Sequence, residues 1–152
     1  LELLEKAGML AALEKYDEKE LVRRKSSPRL MVFDTSLMTA TLGKGCERVL
    51  GEPDLRGRVV ESAVGAYLLG RAPSEGFEVH WWRENNDEVD FVVRKGAALC
   101  AIEVKGGHET RQSGMAKFLQ RHPEARRVIV GGSSVGACGL EEFLLGEVPL
   151  FY

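Results

Sequence analysis

The chain has 152 residues, of which 44% are hydrophobic and 29% are charged, and its formal net charge is −2. This length predicts one ordinary domain with a sizeable core, and the composition excludes a disordered chain. The near-neutral charge excludes a global basic field, so any nucleic-acid surface has to be a local patch. The cysteines Cys46, Cys100 and Cys138 form no C-x-x-C pair, which is typical of a reduced, cytoplasmic protein.

Several familiar signals are absent from the sequence. No apolar run approaches the roughly 20 residues of a membrane helix, so we expect no membrane contact. No G-x-x-x-x-G-K-[ST] loop is present, so this chain should not bind ATP through one. It begins Leu-Glu-Leu-Leu without Met, which suggests a piece of a longer protein.

The N-terminal part predicts small elements. Residues 1–15 have helical spacing, unless Gly8 ends that helix and leaves Met9–Leu13 extended. Leu30–Phe33 is an apolar run of strand length. Asp34 then fits the N-cap of a short helix.

The pattern changes in the loop-rich segment 43–57, where we place a boundary between a connector (1–50) and a second domain (51–152). The predicted elements of the second domain are a helix at Val59–Leu68 closed by Gly70, a turn at Pro73–Gly76, strands at Phe77–Trp82, Glu88–Arg94 and Leu99–Lys105, a helix at Gln112–Arg121, a strand at Arg127–Val130 and a helix at Gly139–Leu145. The closely spaced strands predict an antiparallel meander, and the last strand follows a helical crossover. We therefore expect an α/β fold with a mixed sheet flanked by helices.

Charged residues gather on two neighbouring strands. If Gly96-Ala97 is a two-residue hairpin loop, Asp90 lies opposite Glu103 and Glu88 lies opposite Lys105. Because strand side chains alternate, all four charged side chains would then share one face. A one-residue shift or a bulge would separate the two carboxylates Asp90 and Glu103.

The opposite face of this hairpin is predicted to be core. Its members are Val89, Phe91, Val93, Ala98, Cys100, Ile102 and Val104. The charged face also carries apolar residues near the turn, so its charges gather at one end, as they do at the rim of a cleft.

Two facing carboxylates repel each other unless a cation lies between them. Mg²⁺ prefers oxygen ligands such as Asp90 and Glu103. Lys105 could orient water or stabilise developing charge, and Glu61 on the preceding helix could point at the same pocket. A charged hairpin end paired as Glu88–Lys105, without chemistry, fits the spacing equally well.

Asp90, Glu103-Val104-Lys105 and the preceding Glu61 resemble the PD-(D/E)xK nuclease superfamily. The resemblance implies a restriction-endonuclease-like sheet, in which a three-strand meander is joined by a crossover strand. It implies that Glu61, Asp90, Glu103 and Lys105 are catalytic and that Asp90 and Glu103 bind Mg²⁺ or Mn²⁺. The implied activity is hydrolysis of phosphodiester bonds in DNA.

More narrowly, the chain resembles the C-terminal part of a bacterial and archaeal family of AAA-type ATPases with a nuclease-like domain of unassigned function. The residues that carry this resemblance are Ser26-Ser27-Pro28-Arg29-Leu30, Asp34-Thr35, Gly57 to Glu61, Trp82-Arg83, Glu88-Val89-Asp90-Phe91 and Ile102-Glu103-Val104-Lys105. It implies that residues 1–50 end a winged-helix-like connector, and that an N-terminal ATPase domain of the same protein is the partner.

Basic residues follow the acidic motif. Arg111, Lys117 and Arg121 on the next helix could hold a DNA backbone, although a solvated helix face explains each of them equally well. The alternative function is a non-catalytic module that binds nucleic acid or protein and regulates the attached ATPase. The sequence leaves the oligomeric state open.

Overall fold

A computed structural model of the chain describes residues 2–19, 25–41, 46–106 and 113–152. In chain order the elements are α1 (Glu2–Lys6), β1 (Leu10–Leu13), β2 (Arg29–Val32), α2 (Thr35–Thr41), α3 (Cys46–Gly51), α4 (Pro53–Glu75), β3 (Glu78–Glu84), β4 (Asp87–Lys95), β5 (Ala98–Val104), α5 (Ser113–Arg121), β6 (Arg126–Val130) and α6 (Leu140–Leu144). Within these ranges, no helix combines the length and apolarity needed to cross a lipid bilayer.

The main sheet has four strands in the order β3-β4-β5-β6. Strands β3, β4 and β5 form an antiparallel meander, whereas β6 runs parallel to β5. A parallel neighbour requires a crossover connection, and α5 lies in that connection. Strands β1 and β2 pair separately as a two-stranded antiparallel sheet. The predicted α/β fold with a mixed sheet flanked by helices is therefore confirmed.

The β4–β5 hairpin has the predicted register next to its turn, although the predicted pairs Asp90–Glu103 and Glu88–Lys105 are not part of the observed ladder. Phe91 pairs with Ile102 and Lys95 pairs with Ala98, so Gly96 and Ala97 form the two-residue turn. Gly96 has φ 59°, which is the left-handed region that favours glycine in tight turns.

A β-bulge changes the other side of β4. His80 pairs with Val92 and Trp82 pairs with Val89, so two steps along β3 correspond to three steps along β4. The extra residue falls at Asp90-Phe91, and such a bulge re-aims the side chains around it. Val89 consequently faces the same side as Val92.

Both faces of the sheet are buried, in two separate clusters. The first includes Leu13, Met31, Val64, Leu68, Phe91, Val93, Cys100, Ile102 and Val130. The second includes Tyr16, Trp82, Val89, Val92, Leu99, Ala101, Met115 and Phe118. The predicted core face is thus wrong at Val89, which the bulge moves to the second cluster, and at Ala98, which is exposed beside the turn.

Two expectations for the N-terminal part are confirmed. Gly8, with φ 66°, follows α1, and Leu10–Leu13 is a strand, as the extended alternative predicted. Asp34 caps α2, because its Oδ1 accepts a hydrogen bond from the Ser36 N–H at 2.8 Å. Hydrogen bonding to the Ser36 side chain, and secondarily to its backbone N–H, lowers the pKa of Asp34.

The loop predicted at 43–57 is wrong for its described part. Cys46–Gly51 is a helix, and α4 already begins at Pro53, a residue type favoured at the first helical position. The expected helix end at Gly70 and turn at Pro73–Gly76 are also wrong. The helix ends only at Gly76, whose left-handed conformation lets its N–H donate to the Ala72 carbonyl.

The two-stranded sheet of β1 and β2 shares the core of the main domain. Leu13 and Met31 are 2% and 5% exposed and belong to the same cluster as Val64 and Leu68 of α4. Their packing fixes β2 beside α4. It thereby fixes Arg29, the first residue of β2, beside Glu61 of α4.

Candidate functional site

Acidic residues from three elements meet at one open cavity of about 590 Å³. Glu61 comes from α4, Asp90 from β4 and Glu103 from β5. The first turns of α4 and the end of β5 complete the wall. The remaining lining residues are Pro53, Asp54, Gly57, Arg58, Asn86, Glu88, Val104, Gly106 and Ser113. The structure therefore brings three members of the predicted acidic set to one place.

Asp90 is partly buried at the bulge. Its Oδ2 accepts a hydrogen bond from the backbone N–H of Val104 at 2.8 Å. Burial, reinforced by the negative charge of Glu61, raises the pKa of Asp90 to about 7, against the opposing effects of the Val104 hydrogen bond and Arg29. Near neutral pH this carboxyl is therefore about half protonated, and a cation beside it would ionise it.

Glu103 and Lys105 form a buried ion pair between Glu103 Oε1 and Lys105 Nζ. Their side chains are only 9% and 5% exposed. The two residues are two positions apart on one extended segment, which places their side chains on the same side. The Lys105 ammonium thus lies beside a carboxylate that lines the cavity.

The interpretation without chemistry required an ion pair between Glu88 and Lys105. Glu88 does not form that pair. Its Oε1 lies 3.2 Å from Nη1 of Arg29. The other terminal nitrogen of Arg29, Nη2, pairs with Oε1 of Glu61. One guanidinium therefore bridges two carboxylates that line the cavity.

Arg29 and Arg58 are the site residues that the sequence reasoning missed. Arg29 lies in the Ser26–Leu30 segment that supports the family resemblance, but that segment by itself indicates no chemical role. Arg58 lines the cavity, and the described part of the chain gives it no ion-pair partner. Arg58 lies in the sequence Arg56-Gly57-Arg58, just before the apolar stripe of the helix. That position was the sequence signal that could have identified it as a site residue.

The basic residues predicted on α5 are matched by acids. Lys117 Nζ lies 3.1 Å from Asp87 Oδ2 and 3.6 Å from Glu84 Oε2. Arg121 also pairs with Glu84. Neither basic residue lines the cavity, and Arg111 lies outside the described residues.

The donor set can be tested for a divalent metal. Within the described ranges, no group of three or more His, Cys, Asp or Glu side chains is arranged to hold an ion. Asp90 Oδ1 and Glu103 Oε2 nevertheless have no hydrogen-bond partner among the described residues. Mg²⁺ is often held by one or two carboxylates together with water and phosphate oxygens, and Asp90 and Glu103 supply two carboxylates at this cavity.

The fold and the cavity define an α/β domain with a mixed sheet and a carboxylate-rich cleft between its sheet and its longest described helix. The chain belongs to the family described as domain of unknown function DUF4143, which matches residues 56–140. Domains of this family typically stand at the C-terminus of AAA ATPase-like proteins. Comparison with curated proteins and with solved structures gives no significant match.

Proposed function

We propose that the cavity binds nucleic-acid phosphodiesters together with Mg²⁺ or Mn²⁺ and hydrolyses them, as a PD-(D/E)xK, restriction-endonuclease-like domain attached to an AAA-type ATPase. The observation that supports this is the convergence of Glu61, Asp90 and Glu103 on one open cavity. These residues come from a helix and two strands, so only the tertiary fold unites them. A solvated charged hairpin end would not require such convergence.

The raised pKa of Asp90 is a second argument. A carboxyl group that burial and a neighbouring carboxylate hold partly protonated at neutral pH is stabilised in its charged form by an added cation. Strongly perturbed acids in clefts are frequent at functional sites. A cation bound in the cavity would therefore be favoured by the ionisation of Asp90.

Each residue has a role in this proposal. Asp90 and Glu103 would hold the cation, which when bound activates water and offsets phosphoryl charge. The Val104 N–H orients Asp90 through its hydrogen bond. Lys105 does not line the cavity. It would act through its ion pair, by holding the Glu103 carboxylate in place.

Glu61 and Arg58 act at the edge of the reacting centre. Glu61 is held by Arg29, and its carboxylate can orient water next to the cation. Arg58 lines the cavity and would contact a backbone phosphate of the substrate.

The test is cleavage of supercoiled DNA, linear DNA and RNA by the purified chain with Mg²⁺ or Mn²⁺. We expect cleavage that Asp90→Asn and Glu103→Gln each reduce at least about 100-fold, because the cation would lose a charged ligand. Asp87→Asn, on the same strand but outside the cavity, is the matched control and should cleave normally. Uncut substrates with the wild-type chain, or equal cleavage by Asp90→Asn, would refute catalysis.

A second candidate function is a non-catalytic module that binds nucleic acid or protein and regulates the ATPase. The internal ion pairs favour it, because Arg29 and Lys105 already supply cations to Glu61, Glu88 and Glu103. Calorimetry separates the two functions. Retained DNA binding without any Mg²⁺ or Mn²⁺ binding would support the non-catalytic module.

A further inference from the structure

We infer that Arg29 is a built-in competitor of the divalent cation, and that its guanidinium sets the cation affinity of the cavity. This inference rests on the proposed metal site. Arg29 belongs to β2 in the two-stranded N-terminal sheet, outside the 56–140 family match. The N-terminal part of the chain would thus control a site that the matched domain supplies.

The contacts of Arg29 support this competition. Nη2 pairs with Glu61, and Nη1 lies 3.2 Å from Glu88 Oε1. The Arg29 and Glu61 side chains are each 27% exposed, so water screens their pair only partly. A planar guanidinium presents several donors in a fixed fork and keeps its charge at all relevant pH values. While it holds Glu61 and Glu88, the carboxylates that remain among the described lining residues are Asp54, Asp90 and Glu103. Glu103 is itself paired with Lys105.

Packing holds the guanidinium in place. Met31, two residues after Arg29, lies against Gly65, which is four residues after Glu61. A Cβ at Gly65 would come within 2.0 Å of Met31 Cε. Two residues of a strand advance about 6.6 Å and four residues of a helix advance about 6 Å, so Arg29 stays level with Glu61 when Met31 lies against Gly65. Arg29 is therefore positioned by the buried Met31 anchor, and a metal ion must bind against its field.

The size of the effect follows from Coulomb's law. For an assumed separation of about 8 Å, a unit charge changes the binding of a divalent ion roughly five- to thirty-fold, for effective dielectric constants between about 80 and 40. Replacing Arg29 with an uncharged residue should therefore strengthen Mn²⁺ binding by that factor. Lysine at this position keeps the charge and loses only the planar arrangement of donors. The Mn²⁺ affinity of Arg29→Lys should therefore stay within about threefold of the wild-type affinity.

The experiment is calorimetric titration of Mn²⁺ into the wild-type chain, Arg29→Gln, Arg29→Met and Arg29→Lys. Arg29→Gln retains a hydrogen-bond donor for Glu61, so it still tests the inference if Arg29→Met is too unstable to measure. Arg94→Met is the matched control, since Arg94 also lies on a strand and pairs with a glutamate, Glu78, away from the cavity. We expect tighter binding for the Gln and Met variants only.

Two failures are distinguishable. If Asp90→Asn binds Mn²⁺ as tightly as the wild type does, or if none of the proteins binds Mn²⁺, the proposed metal site itself fails. If wild-type binding depends on Asp90 but the Gln and Met variants bind no tighter, or bind no tighter than Arg29→Lys, the competitor role of Arg29 is overturned while the metal site stands.

Discussion

The Asp90 carboxylate accepts the backbone N–H of Val104 at 2.8 Å, on the strand next to its own. Regular pairing between these strands runs from Lys95↔Ala98 to Phe91↔Ile102. Beyond that point a side chain, rather than the opposite backbone, satisfies the donor of β5. The cavity thus begins where the regular ladder ends.

Asp90→Asn should change how stability depends on pH. In the folded chain the pKa of Asp90 is raised from its ordinary 3.8 to about 7, so the folded state binds this proton more tightly than the unfolded state. The wild type therefore loses stability as the pH rises from about 4 to about 7, by an upper bound of about 4 kcal/mol for this group. Asparagine has no titrating proton, so the stability of the variant relative to the wild type should rise over that pH window.

Urea unfolding at several pH values measures this effect. The control is Asp34→Asn, because the pKa of Asp34 is lowered from 3.8. The titration of Asp34 affects stability only below about pH 5, so the stability of Asp34→Asn relative to the wild type should stay constant from about pH 5 to about pH 7. A constant difference between Asp90→Asn and the wild type would contradict the environment described for Asp90.

Lys105→Met should destabilise the fold by about 3–5 kcal/mol, because it leaves the buried Glu103 carboxylate without its cation. Glu103→Gln should also destabilise it. The double variant should lose less than the sum of the two, with a coupling energy of at least about 1 kcal/mol. Chemical denaturation of the four proteins tests this, and strictly additive losses would show that the pair is not coupled.

Gly114→Ala should destabilise the chain by about 1–3 kcal/mol, as overpacking does. A Cβ at Gly114, on α5, would lie 2.0 Å from the backbone oxygen of Glu88, and backbone cannot move aside as a flexible side chain can. The matched control is Gly70→Ala in α4, where a Cβ meets nothing within 4 Å. That change should stabilise by about 0.5–1 kcal/mol through helix propensity. Equal thermal shifts for both would refute the close α5–β4 contact.

Arg58→Ala should weaken nucleic-acid binding more than Arg121→Ala does. Arg58 lines the cavity without an ion-pair partner in the described residues, whereas Arg121 is paired with Glu84. Removing one interaction with a phosphate lowers the salt slope of binding by about 0.7–0.9. Fluorescence anisotropy at several salt concentrations tests this, and a larger decrease in affinity for Arg121→Ala would favour the α5 surface that the sequence predicted.

Much of the sheet could be predicted because its signals are local. The short Gly96-Ala97 break fixed the β4–β5 register, and alternation placed Phe91, Cys100 and Ile102 in one core cluster. The end of α4 could not be predicted in the same way. Gly70 and Pro73 are helix breakers by propensity, but the helix passes both and ends at the left-handed Gly76.

The sequence by itself determined the α/β class, the meander with its crossover strand, and the acidic residues on neighbouring strands, because these depend on periodicity and turn length. Only the tertiary structure decided which charges meet. The bulge at Asp90 moved Val89 to the other face, and the packing of Met31 against Gly65 brought Arg29, 32 positions before Glu61 in the chain, to that carboxylate. Such long-range contacts follow from how buried surfaces fit together, which no local pattern encodes.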